Sequence, residues 1–132
     1  MIWGKTFNSH LDKILLLQKK AVRIISSADY LANTDPLFKQ NKILKIHDLY
    51  TFYGGIFAFK QNQNSNLPAR QHSYDTRGRN QALPAFNRLL STQRSLSFAI
   101  PSIWNSIPYN IKNVNSLSRF KNNLKGYLLD AY

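Results

Sequence analysis

The side chains best suited to chemistry in this chain are basic and aromatic. Arg70, His72, Tyr74, Arg77 and Arg79 fall within residues 70–79, and Arg88 and Arg94 follow. Guanidinium groups neutralise phosphates, and a tyrosine ring stacks on an unpaired base for roughly 1–3 kcal/mol. The stretch therefore points to a polyanion that carries bases. The same residue types also dock a loop onto its own fold through hydrogen bonds to carbonyls, and the sequence leaves Tyr74 and Arg77 open to either use.

Catalytic groupings are harder to find. General acid–base work needs carboxylates, or a carboxylate and a histidine, held in one pocket. All six acidic residues are aspartates, at 12, 29, 35, 48, 75 and 130, and no two are adjacent. His47-Asp48 is the only histidine–carboxylate neighbour pair, and on a helix adjacent side chains diverge by about 100°. The histidines at 10, 47 and 72 lack the three-to-five-residue spacing of a zinc site. Cysteine is absent, which excludes thiolate ligands and disulfides. No carboxylate cluster for two magnesium ions and no phosphate-cradling glycine loop is present. Neither a cofactor nor a catalytic role is expected.

The elements that would carry these groups read as mainly α: a small helical domain with two long amphipathic helices, a C-terminal helix and a short β-hairpin at about 85–98. Residues 9–26 have helical period, with Leu11, Ile14, Leu15, Leu17, Ala21, Val22, Ile24 and Ile25 filling about half the helical circumference. Lys13, Lys19, Lys20 and Arg23 lie opposite with Asp12, so a core helix with a basic back is expected. Gln18 projects from the apolar arc; it either caps a backbone carbonyl of a neighbouring loop or serves recognition. Asp35-Pro36 is a helix start signal, with aspartate at the N-cap and proline at the first turn, and a short helix through Asn41 follows.

A second long helix is expected over 46–61, with an inner face of Leu49, Phe52, Tyr53, Ile56, Phe57 and Phe59. Gly54-Gly55 interrupts it at roughly 1 kcal/mol each relative to alanine, either for close approach of another element or for a kink. Residues 61–82 read as a flexible loop beginning with the amide-rich run 61–66. The strand pairing 83–90 with 94–98 makes the hairpin, Trp104 between Pro101 and Pro108 anchors the following turn, and Ser116 caps a helix bearing Leu117, Phe120, Leu124, Tyr127 and Leu128.

At 132 residues the chain suits one domain, 1–132. Eighteen Lys and Arg against six Asp give a net charge of +12, which favours RNA or DNA over an anionic membrane because the basic residues are spread along the chain. A solvated basic surface is the bland alternative. No apolar run is longer than that at 14–17, far short of the ~20 residues of a membrane span, and residues 1–5 lack the apolar stretch of a secretory signal.

Ordered segments carry a resemblance. They are Trp3-Gly4; Leu17-Gln18-Lys19-Lys20-Ala21-Val22-Arg23-Ile24-Ile25; Pro36-Leu37-Phe38 with Ile43-Leu44-Lys45-Ile46; Leu67-Pro68; Tyr74 with Thr76-Arg77; Trp104-Asn105 with Ile107-Pro108; and Phe120-Lys121 with Leu124-Lys125. Together they resemble the C-terminal region, downstream of the polymerase thumb, of non-LTR retrotransposon reverse transcriptases of the jockey and CR1 type. In that family the polymerase aspartates and the endonuclease lie upstream. The resemblance therefore implies a fragment of an RNA-directed DNA polymerase without the catalytic groups, partnered by the upstream reverse-transcriptase domain and found in cytoplasm or nucleus.

Two functions follow as expectations. One is nucleic-acid contact through Lys19, Lys20, Arg23, Tyr74, Arg77, Arg79 and Lys121. The other is a structural tail packing on the polymerase thumb with no nucleic-acid binding, which Leu16 on the polar face of the first helix and Trp3 would suit. If Arg77 meets a phosphate, Arg77→Ala should lower the salt slope of RNA binding by about one unit; an unchanged slope removes Arg77 from the contact set.

Overall fold

Residues 8–64, 81–82 and 96–132 are described by the computed structural model. Among them the chain folds into six helices and no strand: α1 (Asn8–Ile25), α2 (Asp35–Gln40), α3 (Ile46–Gln63), α4 (Leu96–Ser106), α5 (Tyr109–Lys112) and α6 (Leu117–Asp130). The expectation of a mainly helical fold is met. Boundaries fall close to the sequence reading, with Thr34 rather than Asp35 at the N-cap of α2. Ser116 occupies the N-cap of α6, though its side chain makes no capping bond.

The expected hairpin is corrected where it can be compared: Leu96 to Phe98 are helical, and the rest of 85–98 lies outside the described residues. Pro101 sits inside α4, where a proline costs about 3 kcal/mol of helix stability. Burial outweighs that cost. Ala99, Ile100, Ile103, Trp104 and Ile107 are all buried, and this spacing makes one continuous face on a helix but splits between both faces of a strand. The start of the expected 61–82 loop is corrected too, since α3 continues through Gln63.

Helix α3 is the centre of the packing, set against α4 and α6 most extensively and against α1 to a lesser extent. Phe59 of α3 stacks on Phe120 of α6, with centroids 4.3 Å apart and planes at 21°. Trp104 of α4 closes the cluster at 6.5 Å from Phe59 and 6.2 Å from Phe120. Trp104 is thus the anchor its flanking prolines suggest. Two expected inner-face residues, Tyr53 and Phe57, are instead exposed.

Gly54 and Gly55 make the crossing possible. A Cβ on Gly54 would lie 2.6 Å from Ile103 Cδ1, and one on Gly55 would lie 2.8 Å from Leu124 Cδ2 and 3.0 Å from Ile107 Cδ1. Of the two readings, close approach is the one observed. Gly54 is met by the far end of a single side chain, Ile103, whereas Gly55 is met by two neighbours, Leu124 and Ile107, that are 0% and 3% exposed. Gly54→Ala should therefore stay within about 1 kcal/mol of the parent, its propensity gain offsetting the clash. Gly55→Ala should lose about 1–3 kcal/mol by overpacking. Urea denaturation of both variants checks the order.

Candidate nucleic-acid interface

Four side chains tie the helix ends together and so fix where the basic residues emerge. Gln18 Nε2 donates to the Leu44 carbonyl at 3.2 Å, and its Oε1 accepts from the Ile46 amide at 2.9 Å. The glutamine that breaks the apolar arc of α1 is therefore a clamp on the loop entering α3, as the capping reading expects. Asn105 clamps Ala82 in the same two-bond fashion, each bond 2.9 Å. Asn41 Nδ2 donates to Ser26 Oγ and to the Leu37 carbonyl, both at 2.8 Å, which joins the C-terminal ends of α1 and α2. Tyr132 donates its hydroxyl to Asp48 at 2.6 Å and accepts from the Lys45 amide at 2.8 Å.

The described aspartates are occupied by structural work. Asp12 pairs with His47 at 3.3 Å, Asp35 with Lys45 at 2.9 Å and Asp130 with Lys39 at 3.0 Å. Asp29 accepts from the Leu31 amide. His47 and Asp48, neighbours in sequence, reach different partners on α1 and at the C-terminus. Among the described residues no group of three or more His or Asp converges on a metal position.

Both α1 and α2 end with their final carbonyls satisfied from beyond the helix. The Ala28 amide bonds the Arg23 carbonyl and the Ser27 amide that of Ile24; Ile43 and Lys42 repeat this on Phe38 and Lys39. That six-to-one, five-to-two pattern needs a left-handed residue, usually glycine. Here Ser27 (φ 49°) and Lys42 (φ 53°) adopt it, at about 1–2 kcal/mol each for a residue with a Cβ.

Each strained residue lines a hollow that also has cationic residues in its lining. Ser27 borders a largely apolar hollow with Lys20, Arg23, Ile24 and Tyr30. Lys42 borders a groove between the end of α2 and α6 with Lys39, Asn122 and Lys125. The Ser26–Asn41 bond lies between residues adjacent to the two strained positions. Lys121 stands one turn before Lys125 on α6 and is exposed.

Of the expected site residues, Lys20 and Arg23 meet in the first hollow and Lys121 flanks the second. Lys19 is only half-exposed, and Arg23 is half-buried with its Nε donating to the Ala32 carbonyl at 3.0 Å. Tyr74, Arg77 and Arg79 lie outside the described residues. Sequence reasoning missed Tyr30, Lys39, Lys42 and Lys125. Tyr30 and Lys42 sit in turns, where no periodicity marks a face.

No family model matches this chain. No curated protein and no solved structure matches it either.

Burial, and secondly the bond to Asp48, push the Tyr132 phenol above its ordinary value. An acid whose pKa is raised by folding stabilises the fold below its unfolded pKa, about 10 for tyrosine, and loses that contribution as pH rises beyond it. Tyr132→Phe should cost about 1–3 kcal/mol at pH 7, because Asp48 and the Lys45 amide lose their partner. The variant should also lose less stability than the parent between about pH 9 and 11, measured by denaturant titration.

Proposed function

We propose that this chain is a non-catalytic module that holds RNA or DNA through basic side chains, of the kind expected from the C-terminal region of a non-LTR retrotransposon reverse transcriptase. The observation that carries the reading is Lys42. A residue with a Cβ is kept in a left-handed turn that glycine would fill at less cost, and its neighbours in the groove are Lys39 and Lys125. Backbone strain retained at a cationic groove supports a binding role for the side chain. Asp130 offsets one charge there, by its pair with the half-exposed Lys39. Such a solvated pair is worth little, so a phosphate can displace it.

Several lysines spread over α1, the α2 turn and α6 suit a backbone of regularly spaced phosphates better than one small anion. Affinity would then be salt-dependent, with little base readout. Tyr30, exposed beside Lys20 and Arg23, adds one ring on which an unpaired base can stack.

The structural-tail reading is favoured by a different observation. Ile14, Leu16, Leu17, Ile24 and Ile25 of α1 are exposed, an apolar surface that water-facing helices do not ordinarily carry.

Lys42→Gly separates the readings. It should raise stability by up to about 1 kcal/mol, as the left-handed penalty of about 1–2 kcal/mol exceeds the entropy cost of glycine. It should also weaken binding of a single-stranded RNA and lower the salt slope by about 0.7–1. Failure of the parent chain to retain RNA or DNA at about 150 mM salt would leave only the tail.

A further inference from the structure

The apolar arc of α1 is about twice as wide as the bundle uses. Leu11 and Val22 are buried, 4% and 2% exposed, and Gln18 lies between them on the clamp to the 44–46 loop. Turning away from that seam, Ile14, Leu17, Ala21 and Ile24 follow at intervals of three, four and three residues. Ile14, Leu17 and Ile24 are 43%, 65% and 78% exposed, and Ala21 is exposed as well. This is the spacing of a two-helix seam. Ala21 leaves a gap between larger neighbours into which a partner's side chain fits.

The charge around the seam selects the partner. Lys13 stands one turn before Leu17 and Lys20 one turn before Ile24, so the two exposed lysines line one rim at heptad spacing. The one aspartate of α1, Asp12, is turned to His47. A second copy packed antiparallel would bring lysine rim against lysine rim, and in either orientation it would join two molecules of net charge +12, which repel. A helix with an apolar seam and carboxylates at the flanking positions would meet both lysines with opposite charge. A lipid surface is served less well, because the other rim of the seam is α1's own contact with α3 rather than a second row of cations.

We infer that the outer face of α1, centred on Leu17 and Ile24 and bordered by Lys13 and Lys20, is a docking surface for an acidic amphipathic helix of a protein partner. The inference does not rest on nucleic-acid binding; it deepens the packing reading by stating the chemistry of what packs there. The seam shares no side chain with the groove at Lys42 but shares Lys20 and Ile24 with the hollow at Ser27, so an acidic helix and a nucleic acid fit at once only where the nucleic acid is held by the Lys42 groove.

The test uses the full chain and a designed helix of about four heptads, with leucine and isoleucine in the seam and glutamate at the flanks. A second peptide with the same seam carries lysine flanks, and phosphatidylcholine–phosphatidylserine vesicles serve as a third probe. Fluorescence anisotropy should show the acidic helix binding the chain, the lysine-flanked helix binding at least tenfold more weakly, and the double variant Ile14→Gln, Leu17→Gln losing at least tenfold in affinity for the acidic helix. Both substituted side chains are exposed and line neither hollow, so far-UV circular dichroism and RNA binding of the double variant should match the parent. No binding of the acidic helix by the parent overturns the proposal, as does equal binding by the double variant, which would mean charge alone. Vesicle binding or self-association in sedimentation equilibrium that disappears in the double variant overturns it in favour of a lipid surface or a second copy.

Discussion

The close crossing of α3 with α4 and α6 is the constraint on which the rest depends. Two adjacent residues without side chains let Ile103, Ile107 and Leu124 press onto the α3 backbone, and one turn further on Phe59 reaches Phe120 and Trp104. Were α3 held farther away by Cβ atoms, those rings would lose contacts that decay steeply with distance. The same crossing explains how α4 tolerates Pro101. A segment pinned along one face by Ile100, Ile103 and Trp104 has its helical path dictated from outside, and local propensity yields to packing.

Around this core the scarcity of carboxylates shapes the surface. Asp12, Asp35, Asp48 and Asp130 join separate elements to one another. Lys45 is held by Asp35 and by the Tyr132 ring 4.1 Å from its ammonium. Lys112 lies 5.2 Å over Trp104, and burial lowers its pKa. With the aspartates committed to joints, three cations stand where helices end: Arg23 and Lys39 in the last turns of α1 and α2, where they also complement the helix dipole, and Lys42 just beyond. One imbalance thus serves structural economy and, on the proposed reading, a polyanionic partner. The left-handed Lys42 is the residue for which economy alone gives no reason.

Helix α1 divides its apolar arc between two tasks. Its inner part, with the Gln18 clamp, fastens it to α3 and to the loop after α2. Its outer part is left to the solvent at a position where a basic rim gives it a sign. A sequence-based reading treats the whole arc as core, because periodicity reports that a face is apolar and not how many neighbours are available to cover it.

What the sequence determined by itself is four of the helices, α1, α2, α3 and α6. Apolar spacing at 3.6 residues, the Asp35-Pro36 start and the Ser116 boundary depend on local backbone sterics and hydrogen bonding, so they are legible without neighbours. The same holds for Gln18 as a clamp, since an amide inside an apolar arc must find backbone partners. What only the tertiary structure decided is which faces meet. Residues 96–98 became helix because Trp104 and its neighbours needed one continuous buried face. Tyr53, Phe57, Leu17 and Ile24 stayed outside because α3 and α1 had no further helix to meet there among the described residues. The candidate groove was invisible because Lys125 is far in the chain from Lys39 and Lys42 and is brought to them only by the packing of α2 on α6, an arrangement set by buried side chains rather than by the lysines themselves.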